Sequence, residues 1–284
     1  REEPPAGRYH AQWNDDYHHA WHVLMTGEDA GYYRDYQDAP ARIVRSLREG
    51  FAWQGEPSSN RKGKARGEPS GHLPPTAFVD FIQNHDQIGN RPKGERLTVL
   101  TKPEPLGAAL TVLLLQPSPP LLFMGEEWGA TEPFPFFCDF NGELADAVRN
   151  GRKKEFAEAY AKHGGTDIPD PLAQATRDLA VLDWAAIDMS PHRERFALTR
   201  ALLAVRRAHI MPLVPQMRAG ADARIDNDVL VAEWRAGGKR LQIVANLSGN
   251  PKPRPILSWG MPIWGEVPPQ ELRRWTVYAA IGGE

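Results

Sequence analysis

Asn84, His85, Asp86 and Gln87 set an amide, an imidazole, a carboxylate and a second amide side by side, one residue after the largely apolar run 78–82. Such groups cost roughly 2–7 kcal/mol each when they leave water without a partner, so this cluster marks either a capped turn or a site. Two more clusters follow apolar segments in the same way. Asn14, Asp15, Asp16, His18 and His19 come after Trp13, and Glu126, Glu127 and Trp128 come after the run 120–125. Carboxylates interleaved with aromatics (Trp13, Trp128, Phe134, Phe136, Phe137) suit a sugar, because acids and amides bond hydroxyls while aromatic planes stack on ring C–H faces. A metal site at 14–19 is the weaker reading: adjacent histidines do not share a helix face, and no HExxH or CxxC spacing accompanies them. Each cluster alone also has a plainer reading, as an ordinary turn, a solvated loop, or a helix cap with an exposed Trp, and any single Phe as core.

The elements that must carry these groups are readable from periodicity. Residues 8–13 read as a short strand leading into the polar 14–19. Ile43, Val44, Leu47 and Phe51 fall at helical spacing. The Gly-, Pro- and Ser-rich stretch 55–75 reads as one long loop. Residues 76–82 read as a strand, 103–116 as a buried helix with Pro near its start, 120–125 as a buried strand, and 143–163 and 193–210 as amphipathic helices. Near-continuous apolar strands alternating with helices predict parallel strands covered on both faces. In such architectures functional groups gather at the C-terminal ends of the strands, and a shared rim would bring the three clusters together. After Pro212 the texture changes. Residues 223–248 read as two strands turning at Gly237–Gly238, and 273–281 as a closing strand. The expected division is an α/β segment over 1–212 and a small antiparallel β domain over 213–284.

Composition excludes several classes. The chain has 284 residues, 41% hydrophobic, enough for a core. Lys and Arg number 34 against 36 Asp and Glu, a net charge of −2, so no nucleic-acid partner is expected. Cys138 stands alone, which precludes an intramolecular disulfide and makes a reducing, cytoplasmic compartment the expectation. No apolar run approaches the roughly 18 residues of a membrane span. The start, without Met or an apolar leader core, reads as the interior of a longer protein.

The segments "FIQNHDQIGNR" (81–91) and "LLFMGEEWGATEPFPFFCDF" (121–140), with "AQWNDDYHHAWHVLMTGE" (11–28) and "GEPSGHLPPTAFVDF" (67–81), resemble the alpha-amylase family of glycoside hydrolases. Within that family they are similar to the enzymes that release trehalose from maltooligosyltrehalose by cleaving the neighbouring α-1,4 bond. The resemblance implies the C-terminal part of a (β/α)8 TIM barrel, from about strand 6 onward, followed by a β-sandwich. It also implies a maltooligosyltrehalose or related α-glucan substrate and no cofactor. Of the three family carboxylates it places only the third here, at Asp86, as the transition-state stabiliser. His85, Asn84, Gln87 and Arg91 are expected beside it, with Trp13, Asn14, Asp15, Asp16, His18, His19, Glu126, Glu127 and Trp128 as further substrate contacts. Retaining hydrolysis needs two carboxyl groups roughly 5 Å apart, one to attack and one to donate a proton. The nucleophile Asp and acid/base Glu are expected in a missing N-terminal part of the same enzyme, since Glu126 and Glu127 follow the wrong strand. The competing expectation is a catalytically silent α-glucan-binding or interaction module.

Overall fold

Pairing begins where an apolar strand meets a partner that can return its hydrogen bonds. In the computed structural model, which describes residues 9–155, 157 and 168–283, strand β1 (Gln12–Trp13) runs parallel to a later strand, Phe78–Val79, with Gln12 opposite Phe78 and Trp13 opposite Val79. Asp80 continues the row as a parallel bridge to Pro120, through Asp80 N to Pro119 O at 3.0 Å and Leu121 N to Asp80 O at 2.8 Å. These pairings are shorter than the sequence predicts. Pro75–Ala77 form a 3-10 turn instead of strand. Of the run 120–125 only Pro120 pairs, because Pro119 and Pro120 have no N–H to give to a ladder.

The polar stretch 14–19 is helical and not a loop. Helix α1 (Asp15–Thr26) starts at the N-cap Asn14, whose side chain accepts from Tyr17 N, and carries Asp15 and Asp16 in its first turn. Both features favour a helix start: the cap satisfies an orphan N–H and the acids complement the positive end of the dipole. Helix α2 (Ala39–Glu49) buries Ile43 and Leu47. It ends at Gly50 (φ +87°), where a Cβ would lie 2.0 Å from the Phe78 ring. The expected long loop contains an antiparallel ribbon of β2 (Gln54–Pro57) and β3 (Ala65–Gly67). Its tip is tied down by Ser58 and Ser59, which both donate to Asp35.

With the later strand Phe78–Val79 as β4, two short helices follow, α3 (His85–Gly89) and α4 (Leu97–Leu100), and then α5 (Pro103–Leu115). Helix α5 is buried at nearly every position from Pro105 onward, as a helix apolar all round must be. At and beyond its C-terminal end, Arg206 donates to the carbonyls of Leu114 (3.2 Å), Gln116, Pro117 (3.1 Å) and Ser118 (2.8 Å). Helix α6 (Gly142–Glu155) covers the first part of the expected 143–163 helix, and most of the remainder lies outside the described residues. The helix expected at 193–210 is present as His192–Val205, continued by a π turn over Arg206–Ile210.

The C-terminal region is antiparallel, as expected. Its sheet contains β5 (Asp222–Asp226), β6 (Val229–Ala236), β7 (Lys239–Asn246), β9 (Met261–Trp264) and β11 (Val277–Gly283), in the order β5-β6-β7-β11-β9. Strands β8 (Lys252–Pro253) and β10 (Glu271–Leu272) form a separate ribbon. The turn at Gly237–Gly238 is present, with φ of +58° and +81°. Residues 223–248 form three strands and not two, because Asn227 and Asp228 make a second tight turn at φ +47° and +63°. Asn and Asp tolerate this left-handed region better than most residues. Alternation along β6 sends Val229 and Val231 to one face, where they pack with Val244, Leu272 and Tyr278. Trp234, on the other face, lines a small cavity with Ser46 and Leu47 of α2.

The chain divides into two compact units. One comprises the described residues within 1–82, 101–121 and 198–284, and the other those within 83–100 and 122–197.

Candidate functional site

In the first unit, the groups at the end of β1 serve mainly each other. Asn14 is fully buried and its amide donates to Gly50 O and to Asp80 Oδ1, both at 2.7 Å. Burial pushes the Asp80 carboxyl up to about 6, opposed by hydrogen bonds from Asn14 and Ser118 and by the charge of Arg206. Asp16 is buried too. It accepts from Tyr36 Oη, from Arg66 at 2.9 Å and from Trp53 N at 3.1 Å. His18 donates from Nδ1 to Ile82 O at 2.5 Å, which leaves Nε2 to accept from Tyr33 Oη at 3.3 Å. His19 Nδ1 bonds Asp15 O at 2.6 Å and its ring stacks on Tyr36, centroids 4.9 Å apart. Burial, helped by nearby Arg66, lowers His19 to about 4, so it is neutral near pH 7. Of this cluster, Asp15 and Trp13 are exposed; Trp13 is 46% exposed and packs edge-on against Phe81. Among the described residues no group of three His, Cys, Asp or Glu side chains is arranged to hold a metal ion.

The second unit contains the other two clusters. Asn84 is buried, caps α3, and accepts from Asp86 N at 2.8 Å. His85 and Asp86 are exposed on the first turn of α3, and Gln87 is half-buried. The Asp86 carboxylate accepts from Asn90 Nδ2 at 2.8 Å. Arg91 is half-buried and pairs with Glu95 at 3.3 Å. Asn90, the partner of Asp86 one helical turn later, is a residue the sequence reading does not single out.

The Glu126–Glu127–Trp128 cluster sits mostly inside. Glu126 is 2% exposed, and one carboxylate oxygen accepts from Phe123 N at 3.0 Å. Burial raises it to about 7, against the pull of that hydrogen bond and of Arg195 and Arg96. Glu127 is half-buried. Trp128, expected on a sugar-binding rim, is 2% exposed and packs against Trp184 at 5.0 Å. It is a packing residue: a large apolar ring gains more from burial than from a wet rim. A residue the sequence did not single out, Arg96, holds this region. It is fully buried and donates to Glu132 O and, at 2.8 Å, to Met124 O, with its guanidinium over the Phe123 ring at 4.8 Å.

Chemically, Asp86 is thus an exposed carboxylate with a fixed backbone and a fixed oxygen. Glu126 is an enclosed acid bonded to its own loop, so it cannot stand in as a second carboxyl flanking an external bond.

No family model matches the chain. It is 40% identical over 239 residues to malto-oligosyltrehalose trehalohydrolase of Deinococcus radiodurans, covering 83% of this chain and 39% of that protein. The protein of the same name from Mycobacterium tuberculosis strain H37Rv is 35% identical over 268 residues, 90% of this chain and 44% of the relative. A solved Salmonella typhimurium protein assigned to the alpha amylases superposes with TM-score 0.89 at 39% identity, over 99% of this chain and 48% of that one. The chain therefore spans about two fifths of the length of these curated relatives.

Proposed function

Because this chain belongs, over the part it spans, to the malto-oligosyltrehalose trehalohydrolases of the alpha-amylase family, we propose that it supplies one wall of a glycoside hydrolase site. In this reading residues 1–212 are the barrel from about strand 6 onward and 213–284 a β-sandwich domain. The enzyme works in the cytoplasm and releases trehalose from maltooligosyltrehalose. Asp86 hydrogen-bonds the hydroxyls of the sugar being cleaved and stabilises the positive charge that develops on its ring. His85, Asn84, Gln87 and Arg91 shape the surroundings, and Trp13, in the first unit, is by itself a candidate aromatic contact for a sugar ring. The nucleophile and the proton donor come from a part of the enzyme outside this segment.

The observation that carries this reading is the exposed Asp86 carboxylate on a capped turn, soon after the parallel strand β4. That is where a parallel α/β fold presents its chemistry. A carboxylate in this place counters a growing cation without having to attack or donate. One carboxylate cannot fill both remaining roles, so the isolated chain is expected not to turn over maltooligosyltrehalose, whereas the product of an upstream-extended reading frame is expected to do so. Trehalose release by the purified 284-residue chain, abolished by Asp86→Ala, would overturn the assignment of roles.

A further inference from the structure

We propose that Asn90, oriented by Arg152, is a positioning residue for Asp86; this rests on the reading of Asp86 given above. Asn90 is the C-cap of α3, one helical turn beyond Asp86, so their side chains lie on the same side. Its Nδ2 donates to Asp86 Oδ1 at 2.8 Å, and its backbone N–H bonds Asp86 O at 2.9 Å. From α6, Arg152 Nη1 reaches Asn90 Oδ1 at 3.4 Å, while Nη2 bonds Gly89 O at 2.9 Å. The same guanidinium stacks 4.9 Å over the Phe136 ring and lies 3.5 Å from Glu155.

The chemistry of the three groups fixes the direction of the chain. A guanidinium only donates, so the end of the Asn90 amide facing Arg152 is its oxygen. An ionised carboxylate only accepts, so the end facing Asp86 is the NH2. Both ends agree on one amide orientation. The charge of Arg152 is thereby relayed as an oriented dipole to Asp86 Oδ1, leaving Oδ2 for a sugar hydroxyl. An exposed aspartate without this bond would share its time among rotamers, and pre-orientation is what a transition-state contact requires.

The test uses the full-length enzyme with maltooligosyltrehalose as substrate. Asn90→Ala should lower kcat about tenfold, the scale of a lost hydrogen bond to a charged group, with little change in KM. Asn90→Asp sets a second carboxylate against Asp86 and should move the acid limb of the kcat–pH profile upward, which loss of stability alone would not do. Arg152→Ala should lower kcat in the native background and add little in the Asn90→Ala background. Unchanged kcat in Asn90→Ala, or fully additive losses in the double variant, overturns the proposal. Asp86→Asn is assayed in parallel. If it loses kcat while Asn90→Ala does not, only the positioning role falls; if it keeps kcat, the reading beneath falls and takes this one with it.

Discussion

The Asn14 amide donates at 2.7 Å to Asp80 Oδ1, joining the ends of two parallel strands across 66 residues of sequence. The same nitrogen also bonds Gly50 O, and the Asn14 oxygen accepts from Tyr17 N. Asn14→Ala removes a helix cap worth about 1 kcal/mol and leaves buried acceptors unsatisfied at about 1–3 kcal/mol each. Urea denaturation should show a loss on the order of 3 kcal/mol, with KM unchanged for the folded full-length enzyme. A raised KM at intact stability would return Asn14 to the substrate.

Trp128 and Trp13 should separate cleanly. Trp128 is enclosed and packed on Trp184, so Trp128→Ala is expected to cost about 3–5 kcal/mol. Trp13 is 46% exposed, so Trp13→Ala should cost about 1 kcal/mol or less and weaken maltooligosaccharide binding instead. Thermal melts and binding isotherms on the two variants check this. The reverse pattern would restore Trp128 to the rim.

Glu126 makes stability depend on pH in a defined direction. Its folded-state pKa is raised to about 7 by burial, above the unfolded value near 4.3. Between those values the folded state holds a proton that the unfolded state has released. The contribution is therefore fully present below about pH 4 and is lost as pH rises through 7. Relative to Glu126→Gln, the native chain should lose up to about 3 kcal/mol between pH 4 and 8. Denaturation curves across this range test it, and a stability difference independent of pH would show that Glu126 is ionised throughout.

What the sequence showed and what it hid divide along one physical line. Helix α5 and the Gly237–Gly238 turn were legible because local composition decides them: an unbroken apolar run after Pro103, and two residues free to take positive φ. The exposed Asp86 was legible as a type of residue in a type of place. The burial of Asn14, Asp16, Glu126 and Trp128 was not, because it depends on partners far along the chain: Asp80, Arg66, Arg195 and Trp184. A polar residue at a strand end can face a ligand or a buried neighbour, and only the fold chooses. The role of Arg96 is hidden for the same reason, since its acceptors are backbone carbonyls that no side-chain motif announces.

The most direct test of the central claim is kinetic and thermal measurement of one protein, Asp86→Asn in the full-length enzyme. The substitution keeps the shape of the side chain and removes the charge that should bind the oxocarbenium-like state more tightly than the ground state. Contacts that strengthen only in the transition state lower kcat when lost, whereas uniform binding contacts raise KM. Electrostatic stabilisers of this kind contribute about 3–4 kcal/mol, so kcat for maltooligosyltrehalose should fall roughly a hundred- to a thousandfold, with a modest change in KM and little change in melting temperature. An unchanged kcat together with a lowered melting temperature would contradict the account and leave Asp86 as no more than part of a capped turn.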